Sequence, residues 1–372
     1  MITVKEITSK RDMKSFVRFP FKLYKNSEYW VPPIISQELQ TFDKKKNPVF
    51  KNAEAKFFLA YKNNQIVGRI AAMINWIEVK EQGIKKMRFG WFDFEDDLDI
   101  TKALIEKVYA IGKQNNLDYC EGPVGFSNLD KVGVITEGFK ELTTMITWYN
   151  HPYYQKHYKE LGFKVEKVYI ESKFPFSNVK PEAFSKVQNI IKKRYGLKSL
   201  TFKKTSELMP YVDQMFDLFN TSYASLSSFV KINDLQKAYF KKKFISFINP
   251  EYIKFVVDKE HKLIAFAIVM PSFSRALQKA NGKLFPLGFR HILKAKKHSK
   301  DVMFYLIGIR PDYQNKGVHA LIFHEYYNVF TQKGIETCYR TPELENNMAI
   351  RQIWKHFNSK MYRRRKTFKK DL

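Results

Sequence analysis

One folding pattern is written twice along this chain, and that repeat limits the folds open to it more than any other feature. Residues 58–73 alternate apolar and polar around Asn63-Asn64, and residues 255–270 do the same, with Ile66 matched by Leu263. Further on, the stretch around Cys120 is matched by that around Cys338, and Tyr158 to Phe163 by Trp354 to Ser359. The spacing between copies widens in the middle and then returns. The second copy therefore carries an extra segment before its fourth strand (about 273–301), and the first carries one after its fifth (about 124–148).

Each copy reads as helices, a hairpin, a strand, a helix, a strand, a short helix and a final strand. In the second copy the periodicity predicts helices over 209–219 and 235–246, then a hairpin over 253–271. A strand over 302–309, a helix over 318–333, a strand over 335–341 and a helix over 349–357 follow. Strand–helix–strand alternation with a hairpin predicts an α/β (α+β) fold, a mixed and mostly antiparallel sheet flanked by helices in each copy. The expected division is a first domain over 1–175, a linker helix over 176–198 and a second domain over 199–372.

Composition supports two packed cores. The chain has 372 residues, of which 44% are hydrophobic, so disorder is excluded. No apolar run approaches the ~20 residues needed to span a bilayer. The first residues lack a signal-peptide core, and the two cysteines, Cys120 and Cys338, lie far apart. Both facts point to a reducing cytoplasm, with the inner face of the membrane as a peripheral alternative, and to no metal site. Each cysteine is expected on a buried strand. The net charge of +28 points to an anionic partner: a polyanionic ligand, an anionic membrane or nucleic acid.

The second copy holds the most specific local signal. Its apolar strand ends at Ile309, and a polar turn with Gln314, Asn315, Lys316 and Gly317 precedes a helix opening at Val318, His319 and Ala320. The first N–H groups of a helix have no internal partner and carry partial positive charge, so such a turn suits a phosphate. Gly317 would let the backbone approach a ligand, and Lys316 adds a charge. At the matching place, the first copy reads Phe94-Glu95-Asp96-Asp97-Leu98-Asp99, without glycine. Carboxylates there would repel a diphosphate, so the first domain is expected not to bind one.

The turn resembles the pyrophosphate-binding motif Gln/Arg-x-x-Gly-x-Gly/Ala of the GNAT acyltransferase superfamily, with Gln314 and Gly317 matching and His319 departing from it. Asn347-Met348-Ala349-Ile350 followed by Trp354 is similar to the family's Asn-x-x-Ala-x-x-x-Tyr helix, and Tyr158 to Phe163 resembles its Tyr-x-x-x-Gly-Phe ending. The resemblance, to two GNAT-like domains in tandem, covers nearly the whole chain. It implies an enzyme that passes an acyl group from acetyl-CoA or a longer acyl-CoA, as co-substrate and without a metal, to an amine. It also implies that Ile307 and Ile309 pair with the pantetheine arm and that Asn347 lies beside it. The family's acidic tyrosine falls on Trp354, which cannot donate a proton in that way.

A base is then needed, and Glu343 and Glu345 near the end of the fifth strand are the candidates, with Tyr339 as the substitute hydroxyl. In the first domain, Gly122 to Asn128, Glu137 and the cluster Tyr149 to Tyr154 are candidates for an acceptor wall, with Glu137, Tyr153 and Tyr154 named for contact. Phe285 and Phe289 lie in a basic amphipathic stretch that suits a membrane interface or a lid over an acyl chain. The acceptor thus stays open among a soluble amine, a peptide and a lipid such as a sphingoid base. Two other readings also stay open: a transferase using aminoacyl-tRNA, and a non-catalytic nucleic-acid binder.

Overall fold

The computed structural model of the chain describes residues 1–127, 129–226, 229–242 and 248–372, with side chains for all of these but Ala183 and His356. Chain order begins with β1 (Ile2–Glu6), α1 (Lys10–Leu23), α2 (Ile35–Thr41) and a hairpin of β2 (Ala53–Lys62) and β3 (Gln65–Asn75). Helix α3 (Trp76–Lys80), β4 (Lys86–Phe94), α4 (Leu98–Gln114) and β5 (Tyr119–Gly122) follow, then β6 (Val134–Glu137), α5 (Tyr154–Glu160) and β7 (Lys164–Pro175). Helix α6 (Glu182–Tyr195) leads to β8 (Lys198–Leu200), α7 (Thr205–Leu208), α8 (Val212–Tyr223), α9 (Asp234–Phe240), β9 (Ile253–Val257) and β10 (Leu263–Pro271). An insertion of α10 (Ser274–Ala280) and α11 (Gly288–His298) precedes β11 (Asp301–Ile309) and α12 (His319–Lys333). The chain ends with β12 (Thr337–Arg340), β13 (Glu343–Leu344), α13 (Met348–Trp354) and β14 (Lys360–Asp371).

The order matches the reading of the repeat, and local chemistry explains its punctuation. Asn63 and Asn64 both adopt positive φ (51° and 61°), the geometry of a type I′ hairpin turn that asparagine tolerates. Asp97 caps α4 by accepting from the Asp99 N–H. Gly334 ends α12 in the left-handed region. The expected helix over 235–246 is described as α9, and its residues 243–246 lie outside the described residues, as does Asn128.

Two compact units divide the chain, and neither is a consecutive half. The first unit comprises Met1–Ile170, Ser274–Ile292 and Arg363–Leu372; the second comprises Glu171–Phe273 and Leu293–Tyr362. In the first unit β1 to β5 lie in chain order, with β4 and β5 parallel, and the sheet is completed by β14, whose Phe368 to Asp371 run antiparallel to β5. In the second, β8 to β12 lie in order, with β11 and β12 parallel, and the last place is taken by β7, whose Lys173 to Pro175 pair with β12. Each sheet is closed by the strand that ends the other copy.

In the first unit, α4 and α5 cover one sheet face around Ile70, Phe89, Leu104 and Tyr158, and α1 covers the other around Phe16, Ala71 and Trp91. The second core gathers Val302, Phe304, Phe323, Tyr326, Cys338 and Trp354, and it includes Phe184 and Ile191 of α6. The helix expected as a linker is thus part of a core. Cys120 and Cys338 are buried free thiols on β5 and β12, as expected. Among the described residues, no helix is long and apolar enough to cross a membrane.

Candidate functional site

In the second unit, β11 parts from β12 at a defined residue. The parallel pairing ends at Phe304 and Arg340, after which the Thr341 N–H reaches the Phe304 carbonyl at 3.3 Å. On its other edge β11 pairs with β10, where the register shifts so that Ile268 faces Leu306 and Val269 faces Phe304. Tyr305 is therefore the extra residue of a β-bulge, which bends the strand where its parallel partner stops. Beyond it, the Arg310 N–H bonds the Ile264 carbonyl, so alternation turns the backbone groups of Tyr305, Ile307 and Ile309 away from β10. All three carbonyls on this edge accept from side chains: Thr341 Oγ1 at 3.4 Å, Tyr223 Oη at 3.0 Å and Gln314 Nε2 at 3.2 Å. The N–H groups of Ile307 and Ile309 face the same way.

The strand then enters the turn. Asn315 and Gly317 have φ of 60° and 76°, and Val318 returns to the right-handed region. Alternating left- and right-handed residues turn successive N–H groups into one concavity, a shape that binds anions. Among the described residues, the N–H groups of Asn315, Gly317 and Val318 have no acceptor. Lys316 is exposed, its Nζ 5.3 Å from the Tyr313 ring and 5.5 Å from that of Tyr195. Asp312 is held by both arms of Arg310. Three backbone donors and a lysine at the start of a long helix fit a phosphate group.

Not every expected cradle residue has the role foreseen. A Cβ on Gly317 would meet Ile191 and Val187 of α6 at 3.5 Å, an ordinary contact. The glycine is required by its positive φ and not by close approach of a ligand. Val318 and Ala320 are core side chains, and the Ala320 N–H is taken by the Gly317 carbonyl at 3.0 Å. His319 is half-buried, its ring 6.1 Å from that of Phe323. Asn347 caps α13, accepting from the Ile350 N–H.

At the end of β12, Arg340 forms a buried ion pair with Glu343. The guanidinium also bonds Ser359 Oγ at 2.8 Å and lies 4.8 Å from the Trp354 indole. Burial holds the Glu343 carboxyl above the usual carboxylate range even against the pull of Arg340. Trp354 itself is core, its indole 4.9 Å from Phe304 and 5.2 Å from Phe323. Tyr339 alternates to the other sheet face, next to Tyr362 at 5.9 Å, and Glu345 is half-buried. Glu343, paired with the residue that lies opposite Phe304, is thus the candidate carboxylate, while Tyr339 points away from Arg340. Tyr223, Thr341 and Arg340 escaped the sequence reading of the site, while Tyr305 stands at the start of the strand segment expected to part. Only Arg340 left a signal, a lone charge at the end of an apolar strand.

The first unit repeats the parting and then closes it. The parallel pairing of β4 and β5 ends at Arg88 and Glu121, and β4 carries an extra residue against β3 near Trp91, whose φ is 44°. Here the loop after β5 folds back: the Val124 N–H bonds the Phe89 carbonyl at 2.8 Å, and the Val124 carbonyl presses on Gly90. The acidic turn is partnered locally, by Lys22 on Glu95, His157 Nε2 on Asp96 and Lys62 on Asp97. A carboxylate of the chain already occupies the helix N-terminus where the second unit has vacant N–H groups.

The other expected contact residues all lie in the first unit. Glu137 pairs with Arg364 at 2.6 Å. Tyr153 donates to the Phe94 carbonyl at 2.6 Å. Tyr154 is buried, bonded to Tyr24 Oη at 2.9 Å and to the Phe94 N–H at 3.1 Å, and so holds β4 in place. Neither lines the cavity of about 520 Å³ bounded by Lys22, Tyr24, Tyr29, Tyr149 and His151. Phe285 is exposed and touches the half-buried Phe289 ring at 5.6 Å.

No family model matches the chain. Protein YghO of Escherichia coli (strain K12) is 23% identical over 380 residues, covering 99% of this chain and 95% of that protein. The bacterial ceramide synthase of Caulobacter vibrioides (strain NA1000 / CB15N) is 20% identical over 381 residues, covering 100% and 98%. Among solved structures, a tandem GNAT protein from the clavulanic acid biosynthesis pathway superposes with a TM-score of 0.59 at 8% identity, covering 100% of this chain and 98% of its own. A GCN5-related N-acetyltransferase from Sphaerobacter thermophilus gives 0.53 at 7% identity, covering 100% and 95%.

Proposed function

Since this chain has the tandem GNAT fold, we propose that it is an acyl-CoA-dependent N-acyltransferase with its donor site in the second unit. The observation that carries this reading is the conjunction at the two ends of one strand segment. The Tyr305 bulge frees the edge of β11, and the same strand runs into a turn whose Asn315, Gly317 and Val318 N–H groups have no acceptor among the described residues. A diphosphate at the turn would leave the pantetheine arm alongside the Ile307 and Ile309 N–H groups. The first unit, with Asp97 in the equivalent cradle, is a scaffold and not a second donor site.

In the reaction, the amine nitrogen forms a bond to the thioester carbon, the carbon–sulfur bond breaks, and the thiolate leaves. The nitrogen gives up a proton to a base, for which Glu343 is proposed. Its raised proton affinity suits it to accept a proton. Arg340 holds that carboxylate in place and can stabilise it after each charge change.

The name of the Caulobacter relative favours a narrower acceptor: the amine of a long-chain lipid base, with a long-chain acyl donor. Thermal shift tests the donor reading. Acetyl-CoA or palmitoyl-CoA at well above its dissociation constant should raise the Tm by several degrees, as a ligand selective for the native state does. Gly317→Asp should abolish the shift in a folded sample. No shift with either thioester would sink the reading. Mass spectrometry of products from sphinganine against soluble amines then tests the acceptor, and acylation of the soluble amines alone would reject the lipid.

A further inference from the structure

We infer that the connection from α10 through α11 is a docking surface for an anionic phospholipid bilayer. Residues 272–300 contain eight Lys or Arg and no Asp or Glu. Within this stretch three large apolar side chains are exposed: Phe285 at 76%, Leu287 at 55% and Leu293 at 57%. They do not stand singly. The Phe285 ring contacts that of Phe289, and Phe289 and Leu293 are four apart on α11, so they share one stripe of the helix. Helix α11 buries Gly288 and Ile292 on its inner side and turns Arg290, Leu293, Lys294 and Lys297 outward. Among the described residues, Arg290, Lys294 and Lys297 have no carboxylate partner.

The start of the connection is held fast by Ser274 Oγ on the Thr143 carbonyl, Gln278 Nε2 on the Glu28 and Trp30 carbonyls, and the Gly282 carbonyl on the Ile35 N–H. The exposed aromatic and aliphatic tip is therefore presented by an anchored base.

Charge and apolarity together choose the partner. A basic face alone would suit any polyanion, but phosphodiester backbones offer nothing to Phe285, Leu287 and Leu293. A bilayer with acidic headgroups offers both an anionic layer for Arg290, Lys294 and Lys297 and an acyl boundary a few ångströms deeper for the apolar tip. The complementarity stands whether or not the acyl-CoA reading does.

Vesicle sedimentation of the full chain tests it. Vesicles of equal parts phosphatidylglycerol and phosphatidylcholine should bind the protein at least tenfold more tightly than phosphatidylcholine alone, with weakening as salt rises. Lys294→Gln/Lys297→Gln should lose most of that preference. Phe285→Ser/Leu287→Ser should lower binding tenfold or more at physiological salt, and an unchanged Tm for both variants keeps the comparison fair. Binding unaffected by the apolar variant, or absent from the acidic vesicles, overturns the proposal. So does a result in which the substitutions weaken duplex DNA binding but leave vesicle binding intact.

Discussion

Tyr223, the last residue of α8, donates its hydroxyl to the Ile307 carbonyl at 3.0 Å, on the edge of β11 that, among the described residues, no strand covers beyond Phe304. Burial pushes the phenol up to about 12, so it stays a donor throughout the working pH range. The bond satisfies a strand carbonyl and fixes the height of the edge along which the donor is proposed to lie. Tyr223→Phe should cost about 1 kcal/mol, the net worth of one hydrogen bond at a part-buried carbonyl. Calorimetry should show a lowered Tm, and the KM for acyl-CoA should rise severalfold. An unchanged KM would mean that this edge does not receive the donor.

Glu343→Gln should lower kcat by about a hundredfold or more, the usual scale for losing a general base, while leaving acyl-CoA affinity within about twofold. Burial raises the wild-type carboxyl. The acid limb of kcat should therefore sit above the ordinary carboxylate range and vanish in the variant. A raised carboxyl favours the native state in its neutral form, so its contribution to stability is present at low pH and fades as pH rises through its folded pKa. An acid limb retained in the variant would assign the base elsewhere.

Acid should destabilise the first unit through Glu121. Burial alone would raise this carboxyl, but Lys86 at 2.9 Å and Lys167 at 2.7 Å outweigh it and pull the value down to about 2. A lowered carboxyl stabilises the native state above its unfolded pKa, and that contribution is lost as pH falls toward 2. The loss is on the order of 3 kcal/mol. Chemical denaturation between about pH 6 and about pH 3 should show about 2 kcal/mol of it, the remainder being lost only as pH falls further, through the folded pKa, and Glu121→Gln should flatten the profile while lowering stability at neutral pH.

Asp97→Ala removes the N-cap of α4 and the Lys62 partner. Stability should fall by about 1 kcal/mol, the typical worth of such a cap. Calorimetric titration should give an unchanged Kd for acyl-CoA. A changed Kd would show that the first unit takes part in donor binding.

Much of the site was legible where the relevant forces are local. Gln314 to Gly317 could be found because an apolar strand, a polar turn and an apolar helix follow one another, and because asparagine and glycine mark left-handed residues. The purpose assigned to Gly317 was not legible, since it depended on Ile191 and Val187 lying on the side where a ligand was expected. Trp354 read as a defect in an active-site helix, and it is a core residue between Phe304 and Phe323. Tyr223 left no signal, because a tyrosine at a helix end resembles any other until the strand it serves is known.

The sequence by itself determined the repeat, the order of elements, the hairpin at Asn63-Asn64 and the contrast between the turns at Gly317 and Asp97. All follow from side-chain periodicity and backbone preference among near neighbours. Only the tertiary structure decided that β14 completes the first sheet and β7 the second, that the Arg340 and Glu343 side chains are paired away from solvent, and that the gap opened at Tyr305 is closed in the first copy by Val124. Strand edges are satisfied by whichever partner the whole fold brings near, and β14 and β7 lie far along the chain from the strands they pair with; Arg340 and Glu343 are only three residues apart, but their burial depends on the fold around them.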